Sequence, residues 1–170
     1  MRTAFWVVLA VAATVGTLWA AQALERNPSV YTDGVYGFSI QAPVFPTGAQ
    51  GTAVMPVVLA GPAEGGFSSN VNVMVQNVTV TRDAFRKLSE DQFKAAGLQV
   101  NSARDLNVLG KDAVRFDYQG TMSGRDLHWL GMAVVDTDRV FLITCTATKD
   151  AYPKFEKKFQ ACLDSFNLVK

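Results

Sequence analysis

The chain predicts an α+β sandwich in which an antiparallel sheet of about six to seven strands is covered by two main helices, at about 81–96 and 153–166. Three observations carry that expectation. Valines 71, 73 and 75 alternate with Asn72, Met74 and Gln76, the period of a half-buried strand. Phe155, Phe159, Cys162 and Phe166 recur at i, i+4, i+7 and i+11, one apolar stripe of a helix. Between them, strand-like segments follow one another through short turns, as in a meander.

Val30 to Ala42 alternates around Tyr31, Tyr36, Phe38 and Ile40, with Gly34 and Gly37 supplying a hairpin turn. Pro43 ends it, because proline cannot donate to a sheet ladder. From Pro43 to Ser69 four prolines and five glycines punctuate the chain. Only Val54 to Leu59 reads as a strand there, and Pro56 demotes it to a sheet edge. Asn70 to Val78 is the next strand. A helix then starts at Thr81 or its neighbour, with Asp83 in its first turn and Gly97 just past its end. Phe85, Leu88, Gln92 and Ala95 or Ala96 are expected to form its inner stripe. Gln99 to Val108 is the weakest strand signal, and Ala113 to Thr121 puts Val114, Phe116 and Tyr118 on one side. Leu127 to Val135 and Val140 to Ala147 pair around the turn cluster Asp136-Thr137-Asp138-Arg139. Pro153 opens the last helix, where its missing N–H costs nothing.

Residues 1–23 read as a secretory signal. Arg2 precedes an apolar run that ends in Ala21-Gln22-Ala23, a small-x-small triplet suited to cleavage between Ala23 and Leu24. The competing reading is an uncleaved anchor, since 5–23 is nearly long enough to span a bilayer and would be the protein's membrane contact. Either way the folded part lies outside the cytoplasm, in the periplasm or beyond the cell. Residues 24–29 are a polar linker, and 30–170 forms one domain, large enough to bury its own core. The mature chain keeps all 15 acids and 15 of the 16 bases. That balance gives no electrostatic pull toward nucleic acid.

Cys145 and Cys162 are the two cysteines of the chain. Export favours joining them in a disulfide that closes a loop of roughly 17 residues, worth about 3 kcal/mol if unstrained. The alternative is a pair of buried thiols that act as small apolar residues. Without C-x-x-C spacing a redox-catalytic role is not expected.

The remaining chemistry is sparse. His128, the sole histidine, shares a strand face with Leu130, Met132 and Val134, where a packed and hydrogen-bonded role is expected. Catalysis would need a nucleophile elbow of the G-x-S-x-G type, which the sequence lacks. Asp136 and Asp138 sit beside Arg139 in a turn and read as hairpin chemistry rather than a calcium loop. Gly61-Pro62-Ala63-Glu64-Gly65-Gly66 and Gly110-Lys111-Asp112 lack the Gly-Lys-Ser/Thr of a phosphate loop. Asn77-Val78-Thr79 matches a glycosylation sequon that matters only in a eukaryotic secretory pathway. Lys154, Lys157 and Lys158 form a basic cluster on the outer face of the last helix. No metal or cofactor is expected.

Two stretches carry a resemblance. Tyr31-x-Asp33-Gly34-x-Tyr36-Gly37-Phe38-Ser39-Ile40-x-Ala42-Pro43 resembles the opening hairpin of the PsbP family, the photosystem II extrinsic proteins with their bacterial, DcrB-like periplasmic relatives. Phe141 to Ala147, followed by a helix closing on Asp164-Ser165-Phe166, resembles the family's last strand and helix. The resemblance implies an αβα sandwich, exported and non-catalytic, that docks on other proteins. The family's opening places tryptophan soon after the proline, where this chain has Phe45-Pro46. That departure points to a bacterial relative rather than a photosystem subunit.

The functional expectation is therefore an exported binding or assembly module that docks on a protein complex of the envelope. Its contact surface is expected in the segment from Phe45 and Pro46 through Gly61, Pro62, Gly65, Gly66 and Phe67, since function concentrates on loops held by a rigid scaffold. The same segment could merely cover a sheet edge. The alternatives are a carrier holding a small molecule or lipid between sheet and helix, and, behind it, a hydrolase using His128.

Overall fold

The computed structural model describes residues 30–34, 37–41, 51–53 and 57–169. The leader, the Ala23–Leu24 cleavage pair, the linker, Phe45 and Pro46 lie outside the described residues. In chain order the elements are β1 (Val30–Asp33), β2 (Phe38–Gln41), β3 (Gly51–Ala53), β4 (Val57–Glu64), β5 (Phe67–Gln76), α1 (Arg82–Ala95), β6 (Gln99–Val108), β7 (Lys111–Met122), β8 (Arg125–Val135), β9 (Val140–Thr148), α2 (Tyr152–Asp164) and β10 (Asn167–Leu168).

Seven strands form one antiparallel sheet in the order β3-β4-β5-β9-β8-β7-β6, and β1, β2 and β10 form a separate small sheet. The large sheet thus joins a meander of β3 to β5 with a meander of β6 to β9 through the β5–β9 pair, Val71 opposite Cys145. Because β5 lies inside the sheet and β6 at its edge, α1 must cross one face to connect them. Phe85 and Phe93 of α1 pack on Val114, Phe116, Tyr118 and Trp129. On the other face, Phe155, Phe159 and Cys162 of α2 and Phe38 and Ile40 of β2 pack on Leu130, Met132, Ile143 and Cys145. The αβα sandwich follows from the pleat: each strand sends alternate side chains to opposite faces, and each face needs its own apolar cover.

Local signals set the helix ends as expected. Thr81 caps α1, its hydroxyl accepting from the Ala84 N–H at 3.3 Å, and Gly97 takes a positive φ of 71° just beyond the last turn. Pro153 sits in the first turn of α2. Three expectations need correction. The buried stripe of α1 is Phe85, Ser89 and Phe93, whereas Ala95 and Ala96 are exposed and Leu88 and Gln92 half-buried. Ser89 can enter the core because its hydroxyl donates to the Phe85 carbonyl at 2.9 Å. Of the strand expected at 54–59, 57–59 lie in β4, which runs on through Glu64 between β3 and β5 rather than at the sheet edge, while 54–56 lie outside the described residues; Gly61 and Pro62 thus belong to β4 rather than to a loop. Pro62 is tolerated because it sits in a register shift between Ala60 and Ala63, past the end of the β3 pairing at Ala60. Finally, β10 closes the small sheet by pairing Asn167 with Ser39 and Leu168 with Phe38, a two-residue strand with no period to announce it.

Candidate functional site

Antiparallel pairing brings three connections to one end of the sandwich: the β4–β5 turn, the β7–β8 turn and the link from β9 into α2. Gly65 and Gly66 form the first turn, with φ of 60° and 75° that an L side chain rarely adopts. Arg125, at the second turn, donates from Nη1 to the Gly65 carbonyl at 2.8 Å. Lys154 of α2 reaches Glu64 at 3.0 Å, and the Lys149 N–H donates to the Asp126 carbonyl at 2.9 Å. These ties hold the three connections together while leaving Glu64, Gly65, Gly66, Ser123, Gly124, Arg125, Asp126, Lys149 and Asp150 exposed. Of the loop residues singled out in the sequence, Gly65 and Gly66 are at this tip. Gly61 is buried in β4, Pro62 is half-buried, and Phe67 is half-buried against the α1-side core.

Behind this end, on the α2 face, lies a polar cluster. His128 Nε2 is 2.8 Å from Asp117 Oδ1, and the same oxygen accepts from the Asn101 amide at 2.7 Å. Asn101 is the extra residue of a β-bulge in β6, between Val100 and Ser102, and a bulge is what redirects a side chain in this way. The imidazole lies flat on the Tyr152 ring, centroids 3.5 Å apart and planes 2° from parallel. Tyr152 Oη is buried near the Asp117 carboxylate and makes no hydrogen bond of ordinary geometry among the described residues, and burial, reinforced by that carboxylate, pushes its phenol well above the ordinary 10.0. His128 is therefore held at one nitrogen and covered on one ring face. That is the packed, hydrogen-bonded arrangement expected of it. The bulge that brings in Asn101 has no signature in the sequence.

The thiols meet on the same face. Cys145 and Cys162 share the α2-side core. Both are free thiols here, so the expected disulfide is not formed in this structure. Burial, followed by the neighbouring Cys162 thiol, pushes the Cys145 thiol well above its ordinary value.

The other sequence features take ordinary roles. Asp136 pairs with Lys111 at 2.7 Å and Asp138 with Arg139 at 2.9 Å, the hairpin chemistry expected of this turn. No group of three or more His, Cys, Asp or Glu able to hold a metal occurs among the described residues. Lys154 and Lys158 lie over the Phe155 ring at 5.5 and 5.8 Å. Asn77 and Thr79 are exposed between β5 and α1. Under α1 a cavity of about 20 Å³ is lined by Ser89, Gln92, Phe93, Tyr118 and Gly131. It has room for about one water.

No family model matches the chain, and no curated protein matches it. Solved structures do. PsbP of the cyanobacterium Synechocystis sp. PCC 6803 superposes with a TM-score of 0.61 at 13% identity, over 91% of this chain and 100% of that one. LpqN of Mycobacterium tuberculosis, described as involved in cell envelope biogenesis, gives 0.60 at 13% identity over 84% and 90%. PA94 of Pseudomonas aeruginosa, a protein of unknown function, gives 0.52 at 21% identity over 84% and 96%. At such identities the likeness is one of fold. The chain has the PsbP-like fold, an αβα sandwich about an antiparallel sheet.

Proposed function

We propose that this chain is an exported, non-catalytic docking module that binds a protein partner in the envelope through the end of the sandwich formed by Gly65–Gly66, Ser123–Arg125 and Lys149–Asp150. The observation that carries the reading is the clamp at that end: Arg125 on the Gly65 carbonyl at 2.8 Å and Lys154 on Glu64 at 3.0 Å hold three exposed connections as one surface. A preorganised surface loses less freedom on binding than separate mobile loops would, which favours recognition. The signal-like leader and the fold shared with a protein described in cell envelope biogenesis support the compartment. The confinement of His128 between Asp117 and Tyr152 supports a role other than catalysis.

A photo-crosslinking residue placed at Lys149 in the native cell should give one discrete envelope adduct, and Arg125→Glu in the same chain should reduce it several-fold. The same probe at Leu109, exposed at the far end of β7, should give none. Identical adducts from both positions, or an adduct indifferent to Arg125→Glu, would refute the assignment.

A further inference from the structure

We propose that Cys145 and Cys162 are an oxidisable pair, closed into a disulfide by thiol–disulfide exchange, and that the bond staples α2 to β9. The partner in the exchange is a disulfide: that of an exported dithiol oxidase, or a small one such as oxidised glutathione.

The geometry is that of two elements brought face to face. Cys145 sits mid-sheet, opposite Val71 on one neighbour and Leu130 on the other. Cys162 belongs to the apolar stripe of α2 that covers this part of the sheet, and both thiols lie in the one buried core between them. A staple here joins a helix already pinned near both ends, by Tyr152 on His128 and by Arg115 on Asp164. It would therefore lock an arrangement that other contacts specify. In the exchange, the thiolate of one cysteine attacks a sulfur of the oxidant and forms a mixed disulfide. That attack breaks the oxidant's own S–S bond; the thiolate of the other cysteine then displaces the bound sulfur, and the oxidant leaves as its dithiol, or as two glutathione thiols, having taken up two electrons and two protons from the protein.

Burial orders these events. Cys145 is 0% and Cys162 2% exposed, so no oxidant reaches either sulfur once α2 has docked. Burial also keeps the Cys145 thiol protonated and slow to attack. Oxidation therefore precedes docking of α2 or occurs during local opening, and the closed bond is afterwards shielded from reductants. The pairing stands on this geometry. The supply of oxidant rests on the exported reading proposed above.

The test uses the full chain, refolded in a glutathione redox buffer, then denatured and alkylated. The expected product is two hydrogens lighter than the dithiol, takes no label, and gives one proteolytic peptide pair joined through the two cysteines. Two labelled cysteines, or glutathione left on either, would overturn the proposal. Reduction of the native protein should be at least about tenfold slower than that of the denatured protein, and equal rates would overturn the shielding. Dithiothreitol should lower the denaturation midpoint of the wild type and leave a Cys145→Ala/Cys162→Ala variant unmoved; an equal shift in both would overturn the staple. Cell fractionation separates the two readings. Free thiols in exported protein count against the staple, whereas protein retained in the cytoplasm counts against export and leaves the redox-buffer result standing.

Discussion

The two faces of the large sheet are cut from the same alternating strands yet carry different chemistry. Under α1 the face is aromatic: Phe93 stacks on Tyr118 at 4.2 Å and Tyr118 on Trp129 at 5.2 Å, with a cavity of about 20 Å³ beside them. Under α2 the face holds the thiol pair, the His128–Asp117–Tyr152 cluster and the Arg115–Asp164 ion pair. The outer surface of α1 is tied to β6 by exposed ion pairs, Arg86 to Asp105 at 2.9 Å among them, which in water contribute little. Helix α2 is instead set by its Tyr152 ring lying on His128, which Asp117 holds through a part-buried polar contact that costs stability when one partner is removed. A sheet can thus hold one cover by shape alone and specify the placement of the other by polar matching. The specified cover is the one whose first turn reaches the proposed docking end.

If that distinction holds, core truncation should hurt most on the α2 side. Phe159 is 0% exposed, and Phe159→Ala should cost about 4–5 kcal/mol in a denaturant melt, against about 3 kcal/mol for Phe93→Ala beside its existing cavity. Equal losses would erase the asymmetry. A second comparison lies within the α2-side cluster. Asp117→Ala strands His128 Nε2 and the Asn101 amide and should cost about 1–3 kcal/mol. Tyr152→Phe removes a buried hydroxyl that makes no hydrogen bond of ordinary geometry among the described residues and should be neutral or slightly stabilising, and a loss as large as that of Asp117→Ala would show that the hydroxyl is bonded to that carboxylate.

The smallest effect is alkaline. Burial raises the phenols of Tyr118 and Tyr152 above their ordinary 10.0, so the folded state favours their neutral forms. Their contribution is complete below pH 10.0 and is lost as pH rises toward the folded-state values. Stability measured against pH should therefore fall above that point. Tyr118→Phe should flatten the fall more than Tyr152→Phe, because Tyr118 lies within the aromatic stack while Tyr152 lies behind the exposed docking end. The reverse order would place the drier environment under α2.

Much of the frame was legible before any coordinate. Val71, Val73 and Val75, the stripe from Phe155 to Phe166, Thr81 and Gly97 each carry a local signal, and each stands where its period or cap places it. The misreadings share one cause. Ser89 displaced Leu88 from the inner stripe because a hydroxyl bonded to its own helix is no longer costly to bury. Pro62 entered a strand because a bulge and an ended neighbour removed the demand for its N–H. In both, a partner elsewhere changed what a residue type means.

The candidate site shows the same division. His128 could be placed on its strand face from alternation, but Asp117, Asn101 and Tyr152 come from three other elements, 11, 27 and 24 positions away. The proposed docking end depends likewise on Arg125 meeting Gly65 across 60 positions of chain.

Composition and periodicity alone thus determined the α+β class, the two helices and most of the strands. These are one-dimensional properties, because an apolar period states which side of an element must leave water. Tertiary structure alone decided the strand order, the separate small sheet, the bulge that aims Asn101 and the gathering of three turns at one end. Those depend on hydrogen bonds and ion pairs between residues far apart in the chain, and no local pattern encodes which distant partner each polar group will find.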